Sequence, residues 1–412
     1  MAETADKLIN MRRNELDYIL STMLDFHKDV SDLIFTVDRP LQVEAAGQLT
    51  PVPIHPAIDR LTPFHTEMIA VNLVAGSQRL TEELLRTGSC DASYSLGDRA
   101  RFRVNIFSQR GCYSIVLRKL NAQIPSINDL SLPDVILQAA KEKTGLVLVT
   151  GATGSGKSTT LAAVINEINH RSAIHIITLE DPVEFVYAQQ MATINQRELG
   201  TDFDSFSTGL RAALRQAPKV ILVGEMRDRA TVEIALSAAE TGHLVFSTLH
   251  TIDAGQTINR ILGMFETEEQ EQVRYRLSDT LRWIIGQRLA PKNGGGRFPL
   301  MEIMGNNLRT KETIVQGESE GKSFYEIIEA SHTFGWCTFD HSCLESYKKN
   351  IISEETALMY CSKRGVVTRG VDDIRKARGD ATTNITDLRM SPSPELHRVT
   401  KPATPPLSLK TK

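Results

Sequence analysis

Apolar residues in the first thirty positions recur at helical spacing (Leu16, Ile19, Leu20, Met23, Leu24), and the run Ser31-Asp-Leu-Ile-Phe-Thr-Val37 then reads as a strand. Val104, Ile106 and Phe107, followed by Ser114-Ile-Val-Leu117, give two more β segments, so the chain opens with a mixed α/β unit. Pro125 and Pro133 punctuate a linker, which sets a boundary near residue 125. From Thr144 the pattern changes. Apolar strands at 146–150, 174–179, 220–224 and 244–248 alternate with helical stretches at 157–169, 205–216 and 229–241, the sequence grammar of a doubly wound parallel sheet. Helical spacing continues through Leu277, Leu281 and Ile285 to Gly294-Gly-Gly296 and on to about residue 375, which predicts a helical C-terminal unit. Residues 380–412 are rich in Pro, Ser and Thr and poor in large apolar groups, so they are expected to be a disordered tail. The expected domains are 1–124, 125–290, 291–379 and that tail.

Composition narrows the partners. With 47 basic and 50 acidic residues the net charge is −3, and nothing global offers a surface for nucleic acid or anionic lipid. No apolar run reaches the length of a spanning helix, and the N-terminus lacks a signal peptide's apolar segment, so a cytoplasmic protein is expected. Cys90, Cys112, Cys337, Cys343 and Cys361 are scattered without a CxxC pair and read as reduced thiols.

The chemistry concentrates in the central unit. Gly151-Ala152-Thr153-Gly154-Ser155-Gly156-Lys157-Ser158 fits G-x-x-x-x-G-K-[ST] between a strand and a helix, with Thr159 continuing the turn. In that setting backbone N–H groups and the helix N-terminus cradle phosphate, Lys157 reaches the β- and γ-phosphates of ATP, and Ser158 ligates Mg²⁺. Lys219-Val-Ile-Leu-Val-Gly-Glu225 is an apolar strand ending in a carboxylate, the position of a Walker B acid on the metal side. The commoner pattern ends in two acids, but Gly224 stands in the first position here. Ile176-Ile-Thr-Leu-Glu180-Asp181-Pro182 brings a second acid to a strand end, so Glu180 is assigned to polarise the attacking water and Glu225 to the metal, with exchanged roles left open. Glu184 reads either as an acid of this strand end or as a plain surface acid. His250 ends its strand beside these groups and is expected to contact the γ-phosphate, whereas His243 lies seven residues earlier at the strand's other end.

The segments GATGSGKSTT, ITLEDPVEF, VILVGEMRD and TGHLVFSTLHT resemble the Walker A, Asp box, Walker B and His box of PilT-type secretion ATPases in order and spacing. The likeness extends to Ser31-Asp-Leu33, Ala100-Arg-Phe-Arg-Val-Asn105, Ile194-Asn-Gln-Arg-Glu198 and the Gly294–Gly296 run, and so covers about residues 20–360. It implies a PAS-like N-terminal domain joined to a RecA-like core and a homo-hexamer with ATP between the two domains. It also implies that the Asp-box and Walker B glutamates share the catalytic work. Both His-box residues, His243 and His250, are family positions. Arginines from the N-terminal domain are brought to the nucleotide in this family; Arg103 and Arg118 match them best, while Arg101 and Arg110, in matching stretches nearby, read either as site arginines or as solvated charges. The chain departs from the retraction motors at Ala152, Ile34 and Gln216-Ala-Pro-Lys219, and it reads Leu308-Arg-Thr-Lys-Glu-Thr-Ile-Val-Gln316 where an AIRNLIRE-like segment is expected. The first three changes are tolerable for catalysis; the unmatched segment, together with the extra tail, points toward the DotB-type ATPases of type IVB secretion, with inner-membrane secretion proteins as partners. A pilus-retraction motor is the near alternative. A DNA translocase would want a basic, aromatic-studded channel, which 6% aromatic content does not advertise. A small-molecule kinase would leave the N-terminal unit unexplained.

Overall fold

The computed structural model describes residues 13–379, apart from 75, 98, 121 and 122; the expected tail at 380–412 lies outside the described residues. Two sheets organise the chain. The first is antiparallel, with strands β1 (Val30–Phe35), β2 (Gln42–Ala45), β3 (Gln48–Pro51), β4 (Ser89–Leu96), β5 (Ala100–Gln109) and β6 (Cys112–Leu120) in the order β3-β2-β1-β6-β5-β4. Alternation along β4 buries Cys90, Ala92, Tyr94 and Leu96 on one face, and helices Arg13–Asp25 and Pro63–Val74 add Leu16, Leu20, Met23, Ile69 and Leu73 to that core. The opposite face of β4 and β5 carries Ser93, Ser95, Arg101 and Arg103. Arg110, one of the two arginines weighed as solvated charges, sits with φ 51° beside Gly111 at the tip of the β5–β6 hairpin.

The second sheet holds β7 (Gly145–Thr150), β8 (His175–Glu180), β9 (Thr193–Glu198), β10 (Val220–Val223), β11 (Leu244–Leu249), β12 (Leu281–Pro291) and β13 (Arg297–Gly305), ordered β13-β12-β7-β11-β10-β8-β9. All neighbouring pairs are parallel except β12 with β13. β7, β10 and β11 are buried along their whole length, because helices Lys157–Arg171, Phe206–Ala213 and Arg229–Glu240 cover the faces. This is the two-domain architecture expected from the resemblance, a PAS-like α/β domain followed by a RecA-like doubly wound domain.

Two expectations change. Leu281 and Ile285, read at helical spacing, lie on β12, directly after the helix Thr267–Thr280. Burial takes in both faces along Trp283–Gln287, so the apolar run Trp283-Ile-Ile285 shows no period of two. The region from 291 is also not wholly helical: Gly294–Gly296 turns β12 into β13, and helices follow from Leu308 to Arg378. All five cysteines are free thiols.

Candidate nucleotide site

The parallel register brings several chain reversals to one edge. Leu249 pairs with Thr150, and Val223 pairs with both Leu179 and Ser247, so the loops beginning at Gly151, Asp181, Gly224 and His250 leave the sheet together. They enclose a cavity of about 550 Å³ lined by Thr153, Gly154, Gly156, Lys157, Ser158 and Thr159, by Glu180, Glu184, Glu225 and His250, and by Arg103 from the N-terminal domain.

The phosphate loop owes its shape to close backbone approach. Gly151 has φ +143°, and a Cβ there would stand 2.4 Å from the Gln287 carbonyl; Gly156 has φ +89°, and its Cβ would meet the Gln287 amide nitrogen at 2.8 Å. Gln287 on β12, buried, also accepts a hydrogen bond from Thr160 Oγ1 at 2.8 Å. It braces both ends of the loop, and sequence reading missed it because it lay in the run taken for helix. Gly151, Ala152 and Ser155 form the back of the loop against β12 rather than the cavity wall. Lys157 donates from Nζ to the carbonyls of Gly151 at 2.9 Å and Ala152 at 3.0 Å. Burial lowers its pKa, against the pull of Glu225 and Glu184. A buried ammonium held only by carbonyl dipoles, at a helix N-terminus, is suited to receive an anion.

Glu180 ends β8 with Oε1 accepting from Thr178 Oγ1 at 2.6 Å and Gln196 Nε2 at 3.1 Å. Burial raises its pKa, the two hydrogen bonds oppose that shift, and nearby Glu184 adds to it. Burial likewise raises Asp181, with Arg227 and Arg103 pulling it down. Glu225 forms an ion pair with Arg227 and lies 3.6 Å from His250 Nε2. His250 is depressed by burial and by Lys157, which favours neutral imidazole. Gly224 has a structural reason to replace the commoner first acid: a Cβ would stand 3.1 Å from the Leu179 carbonyl and 3.5 Å from Glu180 Cα. The backbones of β8 and β10 leave little room there.

Two expected residues lie elsewhere. His243 precedes β11 at the edge opposite the cavity, where Nδ1 lies 3.0 Å from the Ala238 carbonyl. A strand rising about 3.3 Å per residue separates it from His250 by roughly 20 Å. Arg118 does not line the cavity; its Nε donates to buried Asp32 at 2.9 Å while most of its side chain is exposed. Arg101, weighed as a solvated charge, instead ties the N-terminal sheet to Glu198 and to the Val183 carbonyl.

Ser158 hydroxyl and Glu225 carboxylate line the same cavity beside the phosphate loop. Both are the hard oxygen donors that Mg²⁺ prefers alongside phosphate oxygens.

Comparison with known proteins identifies the family. The family model described as type II/IV secretion system protein matches residues 81–334. The type IV pilus retraction ATPase PilT of Pseudomonas aeruginosa is 39% identical over 328 residues, 79% of this chain and 93% of that protein. Among solved structures, the pilus retraction motor PilT with bound ADP is 41% identical, covering 86% of this chain and 98% of that one with a TM-score of 0.76. The Legionella pneumophila ATPase DotB is 29% identical, covering 83% and 95%, with a TM-score of 0.72. No helix among the described residues is long and apolar enough to cross a membrane. The chain belongs to the type II/IV secretion system protein family, among its secretion and pilus ATPases.

Proposed function

We propose that this chain is a Mg²⁺-dependent ATP hydrolase working as a homo-hexameric motor, with Gly151 to Thr159 as the phosphate cradle. The observation that carries this is the meeting of Lys157, Glu180, Glu225, His250 and Arg103 around one cavity. Glu180, aimed by Thr178 and Gln196, takes a proton from the water whose oxygen bonds the γ-phosphorus as the β,γ-bridging bond breaks. Lys157 and Arg103 balance the charge that spreads over the γ-phosphoryl oxygens. Mg²⁺, held by Ser158 and Glu225, would neutralise phosphate charge and steady the leaving group. His250 contacts the γ-phosphate as a neutral donor. Arg118 would act after breaking from Asp32 or across a ring interface, and His243 has no role within its own subunit's cavity.

The finer reading is a motor at the cytoplasmic face of the inner membrane, docked on a type IVB secretion complex, with no nucleic acid as partner. Its support is the 308–316 segment, which departs from the retraction motors. A second reading, a pilus-retraction motor, is favoured by the higher identity to PilT than to DotB, 41% against 29%. Complementation in a cell deleted for the gene tests both. Restored effector export supports the secretion motor; restored twitching without export supports retraction and removes the secretion reading.

A further inference from the structure

Gln196 and Glu198 stand two residues apart on β9 and share a face. Gln196 accepts from the Tyr187 N–H at 3.0 Å and donates to the Phe185 carbonyl at 2.7 Å and to Glu180 Oε1 at 3.1 Å. Glu198 Oε2 accepts from the Val183 N–H at 3.1 Å. The segment leading from Glu180 to Tyr187 is thus strapped to β9 by two side chains.

Glu198 is also where the N-terminal domain takes hold. Ser93 Oγ on β4 donates to Oε1 at 2.6 Å, and Arg101 Nη2 on β5 donates to Oε2 at 2.6 Å. Arg101 Nε donates to the Val183 carbonyl at 3.0 Å, so one guanidinium grips both the strap and the segment it holds. Nη1 and Nη2 are steadied by Ser95 Oγ and Ser93 Oγ, each at 3.1 Å. Glu198 is only 8% exposed. A side chain so buried has no water to replace donors that leave it, and hydrogen bonds weaken steeply past about 3.5 Å. A small change in domain angle therefore makes or breaks the group as a unit.

We propose that Glu198 is a positioning residue through which the N-terminal domain, by way of Arg101 and Ser93, sets the Asp-box segment and the aim of Glu180. The proposal rests on the ATPase reading for its effect on turnover, but not for the contact itself. With the domain docked, Val183 is held on both its N–H and its carbonyl, and Glu180 is aimed at the water. With the domain swung away, Val183 loses the tie on its carbonyl, Glu198 loses both donors from the N-terminal sheet, and hydrolysis slows, which couples turnover to domain angle.

The test uses the full chain with Arg101→Gln, Glu198→Gln, their double variant, and Ser93→Ala as a milder change should the others fold poorly. Arg101→Gln should accelerate amide exchange at residues 183–187, in the other domain. It should also lower kcat about 10-fold or more while the KM for ATP and the affinity for a fluorescent ADP analogue stay within about 2-fold. The double variant should lose no more than the worse single variant. Unchanged exchange at 183–187, or losses in kcat that multiply in the double variant, would overturn the relay. If the parent chain releases no phosphate from ATP, the ATPase reading fails, and amide exchange alone still decides whether Arg101 positions the segment.

Discussion

Arg103 on β5 and Arg118 on β6 face each other directly across the N-terminal sheet, yet only Arg103 lines the nucleotide cavity. Asp32, on the strand beyond, holds Arg118 at 2.9 Å. Like charges directly opposed across a sheet repel, so this rung is eased by a carboxylate on one side and would be eased by a polyphosphate on the other.

The two arginines should accordingly separate on mutation. Arg103→Ala should lower kcat on the order of 10²- to 10³-fold without loss of fold. Arg118→Ala should lower Tm, because Asp32 keeps its burial and loses its ion-pair partner, and should cost less turnover in a protomer's own site. Steady-state kinetics and thermal melting check this; equal kinetic losses would place both guanidiniums at the phosphate.

Glu180 should leave its mark on the pH profile. Burial raises its pKa above the ordinary 4.5, and the base works only when ionised, so kcat should fall on the acid side at a pH above the usual glutamate range. Thr178 Oγ1 donates to the carboxylate and opposes the shift, so Thr178→Val should move this limb to higher pH. A limb that moves down, or stays in place, would remove Glu180 as the titrating base. Glu180→Gln should cost about 10²-fold or more in kcat while sparing nucleotide affinity.

Glu302 gives a stability prediction away from the cavity. Burial raises its pKa from 4.5 to about 7, although the Ala254 N–H donates to it at 2.9 Å. A raised carboxyl favours the fold most below the unfolded value, so its contribution is complete below about 4.5 and is lost as pH rises toward about 7. The loss is on the order of 3 kcal/mol at most. Glu302→Gln should therefore melt progressively higher relative to the parent as pH rises from 5 to 8, and a constant difference would contradict the assignment.

Much of the RecA-like sheet was legible because β7, β8, β10 and β11 are short apolar runs bounded by loops that carry their own chemistry. The phosphate loop and the carboxylates Glu180 and Glu225 followed from strand ends. β9 was not read as a strand, since Thr193-Ile-Asn-Gln-Arg-Glu198 is largely polar; its residues entered only as a stretch of family likeness. β12 was hidden by burial on both faces, and Gln287 with it. Arg101 and Glu198 are distant in sequence and meet only when the two domains dock, so neither spacing nor periodicity could pair them. His243 shows the reverse case: motif membership suggested the site, but strand geometry places it at the far edge.

The central claim, that the cavity binds and hydrolyses ATP, is tested most directly by phosphate release from purified chain with Mg²⁺ and ATP, beside Lys157→Ala under the same conditions. The expected result is steady release by the parent, sensitive to removal of Mg²⁺, and a rate at background for Lys157→Ala, because a methyl group cannot replace the ammonium at the phosphates. Release by Lys157→Ala at the parental rate, or none from the fully assembled parent, would contradict it.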